Sequence, residues 1–217
     1  EDINKKLEAI REANIKVIGS IELPNFNHAT QFGESKDKIK TLSDLIGVFQ
    51  RDELDFSKNR ANNDDILGDA YEYLMKNFAA ESGKGQFYTP AEVSRVIAQI
   101  LNLTEFQRAS NTIYDPTCGS GSLLLRAQSY TANGNVSLYG QEMDNQTVTL
   151  AKLNMLLHGI QNPHIEQGDT LNNPKFKNAG GLEVFDVCIA NPPFSHKNWL
   201  GDAGEDDLYH RWSEELC

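Results

Sequence analysis

Asn191-Pro192-Pro193-Phe194 follows directly on the apolar run VFDVCIA at 184 to 190. Two consecutive prolines remove two backbone donors and hold the chain extended. The Asn191 side-chain oxygen and the Pro192 carbonyl are thereby presented to a ligand as acceptors. Acceptors in that arrangement suit an NH₂ group whose lone pair is delocalised into a ring or an amide. Hydrogen bonds to both of its protons encourage the nitrogen to pyramidalise, which frees the lone pair for attack on an electrophile. Phe194 adds a flat face on which a planar substrate can stack. A plain turn could also be built from N-P-P-F, but its place at the end of a strand and beside a glycine loop favours the chemical reading.

That glycine loop is Asp115-Pro116-Thr117-Cys118-Gly119-Ser120-Gly121-Ser122, set between the apolar Thr112-Ile113-Tyr114 and the helical-looking Leu123-Leu124-Leu125-Arg126-Ala127. Strand, glycine turn and helix in close succession are how an open parallel sheet presents a nucleotide-binding crevice. Gly119 and Gly121 permit a tight turn and a close approach of backbone to ligand. Asp115 places two acceptor oxygens at the strand end. Neither a full G-x-G-x-x-G nor a G-x-x-x-x-G-K-[ST] is present, so phosphates are not the expected cargo. A ligand with amine and hydroxyl groups, such as S-adenosylmethionine, fits better, although a tight strand-to-helix turn without a ligand would read similarly. Glu142, 27 positions beyond Asp115, closes a second strand where such sheets set a carboxylate on ribose hydroxyls. Asp144 reads equally as the N-cap of the helix that follows.

Together these parts define methyl transfer to an amine nitrogen by proximity and acceptor placement, without a covalent nucleophile. Methylation at cytosine C5 would need a thiolate in a loop. Cys118 lies in the glycine turn and Cys188 within a strand. Three cysteines with no C-x-x-C pair indicate neither a disulfide framework nor a zinc site, and no metal is expected.

Positioning these residues requires two kinds of element. Apolar stripes predict helices over Asp2 to Val17, Lys38 to Phe49 and Asp64 to Ala79, which make a helical N-terminal domain over 1–81. After the hinge-like Ser82-Gly83-Lys84-Gly85, Thr89, Pro90 and Glu92 read as N-cap, first helical residue and capping-box partner. The helix they open shows Val93, Val96, Ile97, Ile100 and Leu101 on one face. Capping leaves the adjacent aromatics Phe87 and Tyr88 unexplained. Strands are expected at Thr112 to Tyr114, Val136 to Gly140, His164 to Gln167 and Val184 to Ala190, the last buried on both faces. Helices are expected from the glycine loop to about Thr131 and over Gln146 to His158. The fold class is therefore α/β, with residues 82–217 forming a Rossmann-like sheet.

The formal net charge of −11 is awkward for a protein that grips nucleic acid through its phosphates. Any DNA must be held by a local patch, by further chain or by a partner. No apolar run approaches the ~18 residues of a membrane span, and the N-terminus is charged, so a cytoplasmic location is expected.

FYTP at 87–90, DPTCGSGSLLL at 115–125, GQEMD at 140–144, GDTL at 168–171 and NPPF at 191–194, in this order, resemble the motif series of DNA methyltransferases acting on N6 of adenine. More narrowly, LGDAYEYLMKNFA at 67–79 followed by GKGQFYTP resembles the modification subunit of type I restriction-modification systems. The resemblance implies S-adenosylmethionine as cofactor, with Gln86, Phe87, Tyr88, Thr89, Pro90, Gly119, Ser120, Gly121 and Ser122 around its methionine part, and Asp115 and Thr117 also among the cofactor-binding residues. It sets Glu142 on the ribose and Asp169 on the adenine amine. Asn191, Pro192, Pro193 and Phe194 would be catalytic and receive an adenine flipped from the duplex. Expected partners are DNA and the specificity and restriction subunits of the same system. A single-chain restriction-modification methyltransferase, a protein glutamine methyltransferase and a non-catalytic subunit that binds S-adenosylmethionine or a partner protein are the rival readings, and the intact N-P-P-F argues against the last. Family members continue well beyond N-P-P-F, so the methyltransferase sheet is expected to be incomplete here and the chain a fragment, with the acidic 201–216 as a loop or lid.

Overall fold

The computed structural model describes residues 3–19, 21, 23–28, 35–51, 73, 77, 89–108, 110–160, 163–193, 209 and 211. The chain forms two compact units, Glu1–Leu67 and Gly68–Cys217. The boundary expected between 81 and 82 lies outside the described residues.

In the first unit the helix expected over Asp2 to Val17 is two helices, α1 (Ile3–Ala13) and α2 (Ile15–Ile18). Asn14 causes the break. Its side-chain Nδ2 donates to the Ile10 carbonyl at 2.8 Å, and this local bond competes with regular helix. The second expected helix is α3 (Ser35–Phe49). Its apolar stripe is real in sequence yet largely exposed, Ile39, Ile46 and Phe49 included. The helix expected over Asp64 to Ala79 lies outside the described residues except for Tyr73 and Asn77, both helical.

The second unit holds α4 (Ala91–Ile100), β1 (Thr112–Asp115), α5 (Ser122–Ser129), β2 (Ser137–Glu142), α6 (Asn145–Leu157), β3 (His164–Gln167), the small strands β4 (Lys177–Asn178) and β5 (Gly181–Leu182), and β6 (Val187–Cys188). The main sheet is parallel in the order β3-β2-β1-β6. The chain thus steps outward from β1 to β3 and then crosses back to the other side of β1. That reversal opens a crevice at the carboxyl ends of β1 and β6, where open α/β sheets bind ligands.

Alternation along the strands explains the two faces of the sheet. Ile113 pairs with Leu138 and Gly140 with Ile165, and these apolar residues join Leu124, Val148, Ala151 and Met155 of the helices in one buried core. On the opposite face Tyr114, Tyr139 and His164 lie side by side in register. Phe185 stacks on Tyr114 with ring centroids 4.6 Å apart, and Phe176 meets Tyr114 and Tyr139 edge-on.

Three expectations are corrected. The strand over Val184 to Ala190 is not buried on both faces: Val184 is 87% exposed, while Ile189 is buried in the core and Val187 packs partly buried against it. Among the described residues β6 bonds to β1 alone. In α4 the N-cap is Pro90, with no side-chain capping bond, because the Thr89 hydroxyl is engaged elsewhere. The inward face of α4 is Ser94 and Ala98 with Ile97 and Leu101 beside the core, while Val93, Val96 and Ile100 are exposed. The β4-β5 hairpin was not anticipated from sequence.

Candidate active site

Asp115 ends β1, Glu142 ends β2, Asp169 follows β3 and Asn191 follows β6, so the sheet brings all four to its carboxyl edge. Each is fixed by local chemistry. Asp115 is only 1% exposed, and its Oδ1 accepts from the Thr117 backbone N–H at 2.9 Å. Burial, reinforced by the nearby charge of Glu142, pushes its pKa up to about 7 against the pull of that N–H. The Thr117 hydroxyl sits beside the carboxyl and favours its charged form, but has no hydrogen-bond partner of normal geometry among the described residues.

The turn after Asp115 needs its glycines. Gly119 and Gly121 have φ of 53° and 77°, a left-handed conformation that glycine adopts without strain. A Cβ on Gly121 would also lie 2.9 Å from the Met155 side chain. The Ser120 and Ser122 hydroxyls are buried and 2.8 Å apart, so they bond within the turn. Asn154, fully buried in α6, donates to the Ser120 carbonyl at 2.9 Å.

Glu142 stands across this turn. Its Oε2 accepts from the Gly119 N–H at 3.1 Å and its Oε1 from the Asp144 N–H at 3.0 Å. Each oxygen keeps further lone-pair capacity, so the carboxylate can still receive a pair of hydroxyls. Asp144 is the N-cap of α6, accepting from the Thr147 N–H at 2.8 Å; the capping reading holds for Asp144. Asp169 accepts from the Leu171 and Asn172 N–H groups through Oδ1 and from the Asn172 side chain through Oδ2. That pins its orientation.

The Asn191 Nδ2 donates to the Thr89 Oγ1 at 3.3 Å. Thr89 is buried, and the bond spans 102 positions of sequence, joining the segment after F-Y to N-P-P. This bond uses one proton of the Asn191 NH₂ and leaves the role of acceptor to its amide oxygen. Pro192 and Pro193 are exposed beside it and Pro90 is exposed beside Thr89. Gln86, Phe87, Tyr88 and Phe194 lie outside the described residues.

Both described thiols are poor nucleophiles. Burial raises the Cys118 pKa well above its ordinary value, and burial followed by the charge of Asp115 raises that of Cys188.

Sequence reasoning missed Gln141, which is fully buried. Its Nε2 donates to the Gly168 and Asn173 carbonyls, both at 3.0 Å, and its Oε1 accepts from the Lys175 N–H at 3.0 Å. A polar residue inside a strand, opposite in parity to Glu142, was the available signal. Arg211 was also missed; nothing in the acidic tail singles it out.

The switch-point crevice, with an acidic strand end on either side of a glycine turn and an amide beyond, is where open α/β sheets bind ligands. The chain belongs to the N-6 DNA Methylase family, whose model matches residues 62–216. It is 36% identical over 208 residues to the type I restriction enzyme MjaVIII methylase subunit of Methanocaldococcus jannaschii, covering 92% of this chain and 34% of that protein. Identity to the MpnII methylase subunit of Mycoplasma pneumoniae is 36% over 177 residues, covering 76% of this chain and 31% of the relative. The crystal structure of a type I restriction-modification system methyltransferase subunit from Streptococcus thermophilus superposes with a TM-score of 0.63 at 32% identity, covering 79% of this chain and 36% of that one. The chain thus spans about a third of the length of these relatives.

Proposed function

We propose that this chain carries the cofactor crevice and the amine-acceptor motif of a type I modification subunit, which transfers methyl from S-adenosylmethionine to N6 of adenine in DNA. The observation that carries the reading is the convergence of Asp115, Glu142 and the Thr89-bonded Asn191 on one sheet edge. Three carboxylates, those of Asp115, Glu142 and Asp169, repel phosphates and suit a cationic cofactor with a diol and an exocyclic amine. When bound, S-adenosylmethionine would supply an electrophilic sulfonium methyl to the target amine, which would give up one proton to solvent, and would leave as the neutral thioether. The chain's own part is to hold and orient. Glu142 receives the ribose hydroxyls, Asp169 the adenine amine, and Asp115 the cationic methionine end. Asn191 accepts from the target amine, which draws its lone pair out of the ring. Phe194 stacks on the flipped base. DNA and the specificity and restriction subunits complete the proposed assembly.

Calorimetric titration with S-adenosylmethionine tests the assignment. Asp115→Asn should weaken binding by about tenfold or more, the scale of one charge-assisted bond, while Asn191→Ala should bind the cofactor normally and lose methyl transfer to adenine in the assembled complex. Normal transfer by Asn191→Ala would overturn the catalytic role.

A further inference from the structure

The segment Gly168–Leu171, which carries Asp169, is held from both sides. From beneath, Gln141 bonds the carbonyls of Gly168 and Asn173, and the Thr170 hydroxyl donates to the Pro116 carbonyl. From outside comes Arg211, whose guanidinium donates to the Thr170 carbonyl at 3.2 Å through Nη1 and to the Leu171 carbonyl through Nη2 at 2.5 Å. Two donors in a rigid fork fix two successive carbonyls at once, which an ammonium cannot do. The guanidinium is itself braced by the Tyr209 ring, 5.5 Å from its centroid, and the Lys177 ammonium lies 5.8 Å from the same ring. The two carbonyls that Arg211 bonds belong to the residues immediately after Asp169. The Leu171 N–H that orients the Asp169 carboxylate is in the peptide whose carbonyl belongs to Thr170.

We propose that Arg211 is a positioning residue of the cofactor site: by gripping the Thr170 and Leu171 carbonyls it fixes the turn that presents Asp169 to the adenine amine of the cofactor. The proposal rests on the reading of Asp169 given above. It places in the cofactor half of the site a residue that lies 20 positions beyond Asn191 in the chain. Binding of cofactor therefore depends on chain that follows the substrate motif.

The test is a double-mutant cycle in the assembled modification complex, with Arg211→Gln, Arg211→Lys, Asp169→Asn and the Arg211→Gln/Asp169→Asn pair. The readouts are the S-adenosylmethionine Kd, and kcat and KM for methyl transfer. Arg211→Gln should raise Kd and KM about tenfold, for two lost charge-assisted bonds, with kcat at saturating cofactor within about twofold. Arg211→Lys should recover only part of the affinity. In the pair, the Arg211 effect should largely vanish, because it acts through Asp169. An unchanged Kd in Arg211→Gln beside a weakened Asp169→Asn overturns the proposal alone, as do fully additive effects or a fall in kcat at constant KM. An unchanged Kd in Asp169→Asn overturns the reading of Asp169 and the proposal with it.

Discussion

Asp115 shows how one residue can be costly to the fold and useful to the site. Its carboxyl is pushed up to about 7 from an ordinary 3.8, chiefly by burial. Below pH ~4 the group is neutral in both folded and unfolded chains and costs nothing. Between ~4 and ~7 the unfolded chain ionises while the folded one still holds its proton, so stability falls as pH rises through that window and levels off above it. Denaturation midpoints taken from pH 4 to 8 should show this decline, and Asp115→Asn should flatten it. Cofactor binding should run the other way. A cationic ligand favours the ionised carboxylate, so affinity should weaken by up to about tenfold per pH unit below 7. Calorimetry in buffers of different ionisation enthalpy should detect proton release on binding near pH 6.5 to 7. A pH-independent Kd with no released proton would remove Asp115 from the charged contact.

At the scale of elements, the loop after β3 depends on Gln141 more than on its own sequence. Gln141→Leu is nearly isosteric but would strand the Gly168 and Asn173 carbonyls and the Lys175 N–H, the three groups it bonds. At roughly 1–3 kcal/mol for each unsatisfied buried group, relieved in part by water, the variant should lose about 3 kcal/mol by denaturant titration. Cofactor affinity should fall with it, since Asp169 rides on the same loop. A loss below about 0.5 kcal/mol would show that the loop supports itself. The existence of β1, β2, β3 and the helices between them was legible because apolar alternation, glycine turns and N-caps agree there. The inward face of α4 was not. Val93, Val96 and Ile100 make the more apolar stripe, yet Ser94 and Ala98 face inward, and small side chains let α4 approach α5 closely. Thr89 misled for a related reason. A hydroxyl before a helix reads as a cap, whereas a partner 102 positions away claims this one, and no local pattern encodes that. The place of N-P-P just past a strand was legible because the apolar run before it and the prolines themselves are local signals.

At the scale of the molecule, charge decides what the chain can do with DNA by itself. It has 20 basic and 31 acidic side chains, a formal net charge of −11, and the carboxylates gathered at the crevice repel the same phosphates that a duplex would bring. Nonspecific affinity for DNA comes from cations that displace counterions, with a slope in log K against log salt of about −0.9 for each phosphate neutralised. The separation of roles in the proposed complex follows: partner surfaces grip the backbone, and this chain receives a single extruded base, whose ring carries no charge. Fluorescence anisotropy on a labelled duplex should therefore give weak binding by this chain alone, with a salt slope shallower than about −3. The assembled complex should bind far more tightly and with a much steeper slope. A slope near that of the complex for the isolated chain would mean that it carries its own phosphate-gripping face, and Lys or Arg substitutions on the sheet's carboxyl edge would then locate it.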